Sequence, residues 1–479
     1  MVEVPQHAGP DAVGGRHSAP TRLHKRWYLA IVYANVVLYS ICWMAQAPVL
    51  PYLVDALGAS GSMQYARLQT AFSGIQFIGG LVSGPLMDRY GGRWLLAVSF
   101  GASLACYGIT ATANSMWGLY LSRVPTVLQH AVLAARAIVT QLSSDGDRAR
   151  VLGYVAVSYS VGFTVGPAIG GWLSAWSLQL AAWSATVGSA LSLVMILALL
   201  PDLPNPADAH HKHEAAKGGG AEEHSGTNDA AHEGGAGRAG ASPPAGGNKG
   251  GVKAMLSAFV EVARRPGVPD LLLGKLLVGL GSAVYQSMFA VLLKQQYGLD
   301  PNKNGMVMSY VGFLLLAGQA LLVGPAIAAA GEPAVELGCA VGLVAVFVAL
   351  SACRTMWQLL VLMVPYAVAG MLYSNASTSR LTKAVLPQQR GTALAIDMSL
   401  SSGVRMLSPT LGAAAADRLG HQAVPLLGAG LIGLFLVALQ LGIARIPLPT
   451  AGRARWRLFG GKAPESAHAA EAKAEGKED

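Results

Sequence analysis

Arg123, His130, Lys275, Asp397 and Arg405 each stand deep inside a long apolar stretch of the chain. A charge surrounded by hydrocarbon is expensive and is kept where it binds or moves an ion. Arg123 and His130 are seven residues apart, so a continuous helix would carry them on one face, with Arg136 rotated away and long enough to snorkel. His130 fits either a satisfied core histidine or a titrating switch. Gln69 and Gln76 repeat the seven-residue spacing, and with Gln46 they have the donors and acceptors to hold a polar solute or one another. In the second half the deep polar positions are Lys275, Gln286, Gln319, Tyr366, Tyr373, Asp397 and Arg405. Lys275 can snorkel, whereas Arg405 lies about 21 Å along its helix from Gly391, too deep to escape. Asp397 is read as the one acid well inside an apolar stretch, and neutralising a base, binding a cation and carrying a coupled proton are all open to it. Arg123, Arg405 and Lys275 against one Asp make a site that holds an anion better than a bare cation.

The elements that position these residues are set by composition. Only 12% of the residues are charged and 53% are hydrophobic, about half the charge of a soluble protein. Lipid is therefore the expected solvent, and the fold class is all-α integral membrane. Apolar stretches long enough to span a bilayer fall near 27–50, 68–87, 94–112, 117–142, 151–174 and 177–200, then 268–293, 305–329, 334–352, 356–379, 391–415 and 422–444. That predicts twelve transmembrane helices as two six-helix bundles, over 27–200 and 268–444. Residues 1–26 form a polar tail, 201–252 a low-complexity linker with too little apolar surface to fold, 253–267 an interfacial helix, and 445–479 a charged tail.

The net charge of +9 is spread over loops and tails rather than gathered on one face, which argues against nucleic acid. It is biased instead. The loops on the side of the termini carry Arg22, Lys25, Arg26, Arg89, Arg93, Arg148, Arg150, Arg264, Arg265, Arg380, Lys383 and Arg390 among others, and the opposite loops only Arg67, Lys294, Lys303, Arg354 and Arg418. By the positive-inside rule both termini and the linker are cytoplasmic. Cys42, Cys106, Cys339 and Cys353 lack metal spacing and read as packing residues. No nucleophile triad, phosphate loop or metal cluster stands out, so no enzyme activity, metal or cofactor is expected. His210, His211, His213, His224 and His232 in the linker read as flexible sequence rather than a zinc site, and RARWRLFGGK at 453–462 suits anionic headgroups.

At an offset of about 240 residues the halves overlay: GPLMDRYGGR at 84–93 falls on GPAIAAAGEP at 324–333, and TQLSSDGDR at 140–148 on TKAVLPQQR at 382–390. Six spans plus six as a parallel repeat is the layout of a transporter with its site between the halves, near the membrane midplane.

GPLMDRYGGR, with Gly84, Asp88, Arg89, Gly91 and Arg93 in register, resembles the loop signature between helices 2 and 3 of the major facilitator superfamily; Gly92 replaces a usual basic residue. The resemblance implies that Asp88 sits against the start of helix 11, near Arg390, and that the arginines pair across the halves to hold the outward-facing state. A carboxylate near a helix N-terminus is consistent with this. Gly162, Gly166, Pro167, Gly170 and Gly171, in GFTVGPAIGG, resemble the helix-5 signature of the family's antiporters, and ordinary close packing explains the same glycines. Arg123 resembles the family's helix-4 arginine, without the Gln-Gly that usually follows. Gln46 with PYL at 51–53, LQTAFSGIQFIGG at 68–80, SRVP at 122–125, RGTAL at 390–394 and SPTLG at 408–412 resemble organic-cation-transporter-like members. The expected activity is transport of a small organic solute by a monomer in a lipid bilayer, through proton-coupled exchange of an organic cation or drug. The alternatives are an organic-anion carrier using the cavity arginines, and a receptor or scaffold acting through the linker.

Overall fold

The structure, a computed structural model, describes residues 22–59, 61–143, 147–201, 257, 259–386, 389–442, 444 and 446. The N-terminal tail, nearly all of the linker and the C-terminal tail with its basic-aromatic segment lie outside the described residues.

Helix α1 covers Arg22–Ala45, and a turn leads to the short α2, Leu50–Ala56. Then come α3 (Ser62–Tyr90), α4 (Gly92–Thr112), α5 (Met116–Arg123), α6 (Ala131–Leu142), α7 (Arg148–Leu173) and α8 (Leu178–Leu199). The second half contains α9 (Val268–Tyr297), α10 (Pro301–Leu321), α11 (Val323–Ala330), α12 (Glu332–Ala352), α13 (Met356–Lys383), α14 (Arg390–Leu419) and α15 (Ala423–Gln440). Among the described residues nine helices are apolar and long enough to cross a membrane. The other three of the twelve predicted spans are helical but irregular in composition or course. α3 and α14 are long and carry many polar residues, and the fourth is interrupted.

That interruption corrects the sequence reading. Pro125 cannot donate a backbone hydrogen bond, and Val124–Leu128 forms a 3-10 turn between α5 and α6. Arg123 ends one helix and His130 precedes the next, so their seven-residue spacing does not define a shared helical face. The first span is shifted rather than shortened, running from Arg22 to Ala45 instead of 27–50, and the eighth bends at Leu322 between α10 and α11.

The internal repeat is visible in backbone geometry. Gly91 after α3 has φ 86° and ψ 163°, and Gly331 after α11 has φ 77° and ψ 155°. These conformations favour glycine, so the turn is kept where the charges of the first copy are absent. Ser115 and Thr355 cap α5 and α13 in the same way, each side chain accepting from a backbone N–H three residues on.

In the first half α1 packs on α7 and α4 on α8; in the second, α12 packs on α13 and on α15, and α9 on α15. The halves meet along two seams, α7 with α10 and α3 with α14. The helix-5 glycines explain the tightness. A Cβ on Gly162, Gly166 or Gly170 would run into α1, at 1.9 Å from Ala45 O for Gly170, while one on Gly171 would strike Pro301 O at 2.8 Å. Across the same seam Gly305 and Gly312 of α10 press on the backbone of Pro167 and Phe163. The outward faces expose Leu191, Leu197, Val361 and Leu434, with Trp117, Trp172, Trp176 and Trp357 near helix ends, as expected where hydrocarbon and headgroups are the solvent.

Candidate functional site

The contacts that cross between the halves gather at one end, the end of the α1–α3, α7–α8, α9–α10 and α14–α15 connections. There Lys294 at the end of α9 pairs with Asp55 of α2, donates to Pro51 O at 3.0 Å and lies 4.6 Å from the Tyr52 ring centre. Tyr52 Oη donates to Leu299 O and accepts from Asn304 Nδ2 at 3.3 Å, and Ser62 Oγ donates to Gln295 at 2.9 Å. Along the seams Thr70 and Thr410 share a 2.8 Å hydrogen bond, and Ala168 N–H donates to Ser309 Oγ at 2.8 Å. One buried apolar cluster takes in Leu50, Leu53 and Leu68 from the first half and Phe289, Leu292 and Leu293 from the second, which seals that end against water.

Toward the other end the contacts between α3 and α14 at Thr70–Thr410 and Gly74–Met406 have no counterpart among the described side-chain contacts. Gly84, Gly324 and Gly391 look onto open space, and Ile78, Leu81, Leu394 and Met398 are exposed. The signature loop lies here. Arg93 Nη2 donates to Leu197 O at 3.1 Å, at the C-terminal end of α8 where carbonyls attract a cation, and Arg89 lies 5.3 Å from the Tyr90 ring. Asp88 falls in the last turn of α3, its side chain outside the described residues, and Arg390 is exposed at the first position of α14.

Between the ends is a cavity of about 390 Å³, in the size range of small-molecule sites. Its polar lining includes Lys275, Gln286, Tyr373, Ser374, Asp397 and Ser401; its aromatic lining is Tyr285, Phe289 and Tyr366, with Phe163 from the helix-5 motif. Of the predicted cavity residues, Lys275 and Asp397 therefore line it. They pair at 2.8 Å, and Thr378 bridges them, accepting from Lys275 at 2.7 Å and donating to the other Asp397 oxygen at 3.4 Å. Lys275 does not snorkel. The Tyr373 hydroxyl has no hydrogen-bond partner although the residue is only 5% exposed. Asp397, Ser401 and Arg405 follow one another at intervals of four, close to one stripe of α14. Arg405 Nη2 donates to Ser402 Oγ at 3.0 Å.

The glutamines are occupied elsewhere. Gln46 donates to Ala181 O at 2.9 Å, Gln69 to Tyr65 Oη at 2.8 Å, and Gln76 to Thr126 O at 3.2 Å. Gln319 pairs with Asn375. Arg123 is 7% exposed, with Phe72 at 5.8 Å and Cys106 Sγ at 3.9 Å; its Nε and Nη2 have no hydrogen-bond partner. His130 packs under Gly79, its Nε2 also without a partner.

Asp397 stays the one acid well inside a predicted span among the described residues, but it is not the most buried acid. Glu336, only 1% exposed, pairs with Arg380, while Glu332 takes Lys383 at 2.7 Å and Ser379 at 2.5 Å. Glu336 stands near a span end, where a sequence reading treats it as interfacial; its burial comes from α13 covering it. The described part of the predicted interfacial helix is helical over 259–263, and Glu261 accepts from Gln389 at 2.7 Å, docking the segment on α14.

Residues 32–321 match the family model for the Major Facilitator Superfamily. The chain is 29% identical over 409 residues to Solute carrier family 67 member A1 of Homo sapiens, covering 83% of this chain and 87% of that protein. It is 28% identical over 397 residues to Solute carrier family 22 member 18 of Mus musculus, covering 81% and 89%. Among solved structures it is similar to the human organic anion transporter MFSD10 (TETRAN), with a TM-score of 0.60, 21% identity and coverage of 87% of this chain and 99% of that one.

Proposed function

The chain belongs to the major facilitator superfamily, and on that premise we propose that it carries a small organic solute across a membrane by alternating access to the cavity, which the second half lines and Phe163 of the first half borders. The observation that supports this reading is the asymmetry of the seams. A polar clasp and an apolar seal hold one end, while the other end stands open beside the signature loop. If the termini are cytoplasmic, as the charge bias predicts, the open end faces the cytoplasm. Asp88, Arg89, Arg93 and Arg390 then belong to the opposite state, brought together when that end closes.

The charges favour an organic anion. Asp397 is already neutralised by Lys275, and Arg405 and Arg123, which do not line the cavity, add positive charge to the protein interior without an acidic partner among the described residues. Proton-coupled exchange of an organic cation is the second reading, and it requires Lys275 to give up Asp397. Uptake of labelled cations and anions of matched size into proteoliposomes, with and without an imposed proton gradient, separates the two. Cation flux driven by the gradient supports the exchanger, and gradient-independent anion flux lost in Arg405→Ala supports the anion carrier.

A further inference from the structure

Building on that transport reading, we propose that Asp397 is a tethered stand-in for the substrate: the cavity takes an organic carboxylate whose anionic end displaces the Asp397 carboxylate from Lys275. Lys275 sits in the cavity with its side chain 9% exposed, and Asp397 is 17% exposed. Of the three N–H donors on the ammonium, one goes to Asp397 and one to Thr378. Thr378 lies on α13 and Asp397 on α14, so Thr378 keeps hold of Lys275 when Asp397 swings away. Tyr373 lines the same wall, with its unpartnered hydroxyl buried near Gly274. Tyr285, Phe289, Tyr366 and Phe163 supply flat apolar surface, which suits an aromatic body behind the charge.

The charged groups around the pair leave it the exchangeable one. On α12 Glu336 is held by Arg380 of α13. α15 brings no ionisable side chain, and α3 meets α14 through Thr70 and Gly74. A lysine left unpaired as the halves close over it is the costly state. Closure is therefore permitted when Lys275 is matched either by Asp397, in the empty carrier, or by a substrate carboxylate, in the loaded one. The ion pair is what lets the empty carrier return, and so allows net transport rather than obligatory exchange.

The test uses the full chain in proteoliposomes with labelled hippurate, an aromatic carboxylate, against its neutral methyl ester and the cation benzyltrimethylammonium. Wild type takes up hippurate in both net and exchange modes, and neither control competes. Asp397→Asn lowers net uptake at least about tenfold while exchange into hippurate-loaded vesicles stays within about threefold. The double variant Lys275→Gln with Asp397→Asn removes both charges together; it melts as wild type does and loses hippurate transport in both modes. Net uptake that survives Asp397→Asn, exchange lost as deeply as net uptake, or hippurate transport retained in the double variant overturns the proposal. Transport of the cation but not of hippurate also overturns it and leaves the transporter reading standing; if none of the three compounds is carried, both fail.

Discussion

Lys294 and Asp55 form an ion pair between the end of α9 and the short helix α2, joining the two halves of the protein at its sealed end. The Asp55 side chain is 39% exposed, so solvent screens the pair and its worth is at most about 1 kcal/mol. A conformational equilibrium poised near balance is sensitive to that much.

Replacing Lys294 with Gln therefore shifts the population toward opening of the clasped end by up to about fivefold. The readout is alkylation of a cysteine placed at Ser62, which is 2% exposed in this state, by a membrane-impermeant maleimide after removal of the native cysteines. The rate rises in the variant and is unchanged if the pair does not hold the clasp.

Gly170→Ala drives a Cβ to 1.9 Å from Ala45 O and destabilises the first half by about 1–3 kcal/mol. Gly153→Ala, inside α7 where nothing lies within 4 Å, leaves the melting temperature unchanged or slightly raised. Gly305→Ala acts differently, because its Cβ would meet Pro167 O at 2.3 Å across the seam between halves. It disfavours the clasped state more than the fold, and raises Ser62-site alkylation as Lys294→Gln does.

Arg123 buries a guanidinium with two nitrogens unpartnered. Replacement by Leu removes a desolvated charge, so thermal stability is unchanged or raised by about 1–4 kcal/mol while transport falls. A large loss of stability would mean that the arginine is structural.

Asp88→Asn slows turnover with little change in KM and none in substrate preference, because the residue acts on the closing of the open end and not on the cavity. Proteoliposome kinetics with two substrates separate these effects.

The fold was legible because lipid imposes a strong pattern: apolar length, charge bias and the repeat at about 240 residues all point to two six-helix bundles. The site was legible only where a charge stood in hydrocarbon. Lys275 and Asp397 were picked out singly, and no spacing rule indicated that Thr378 joins them. The Tyr52–Asp55–Lys294 clasp was hidden because its members lie in or beside loops, 239 residues apart for Asp55 and Lys294, where polar residues are ordinary. Pro125 did carry a signal, the missing N–H that breaks the fourth span; reading 117–142 as one helix passed over it. The glutamines misled for a general reason. In a membrane an amide must find a partner, and the nearest backbone carbonyl serves as well as a substrate.

The central claim, that one cavity is exposed alternately to the two ends, is tested most directly by distances between spin labels on two pairs of sites in the same preparation. One pair, Ala56 and Lys303, reports the clasped end, and the other, Arg150 and Leu321, reports the open end. Across conditions that shift the equilibrium, including Lys294→Gln, the first distance should lengthen as the second shortens. Two distances that change together, or that both stay fixed during active transport, would contradict it.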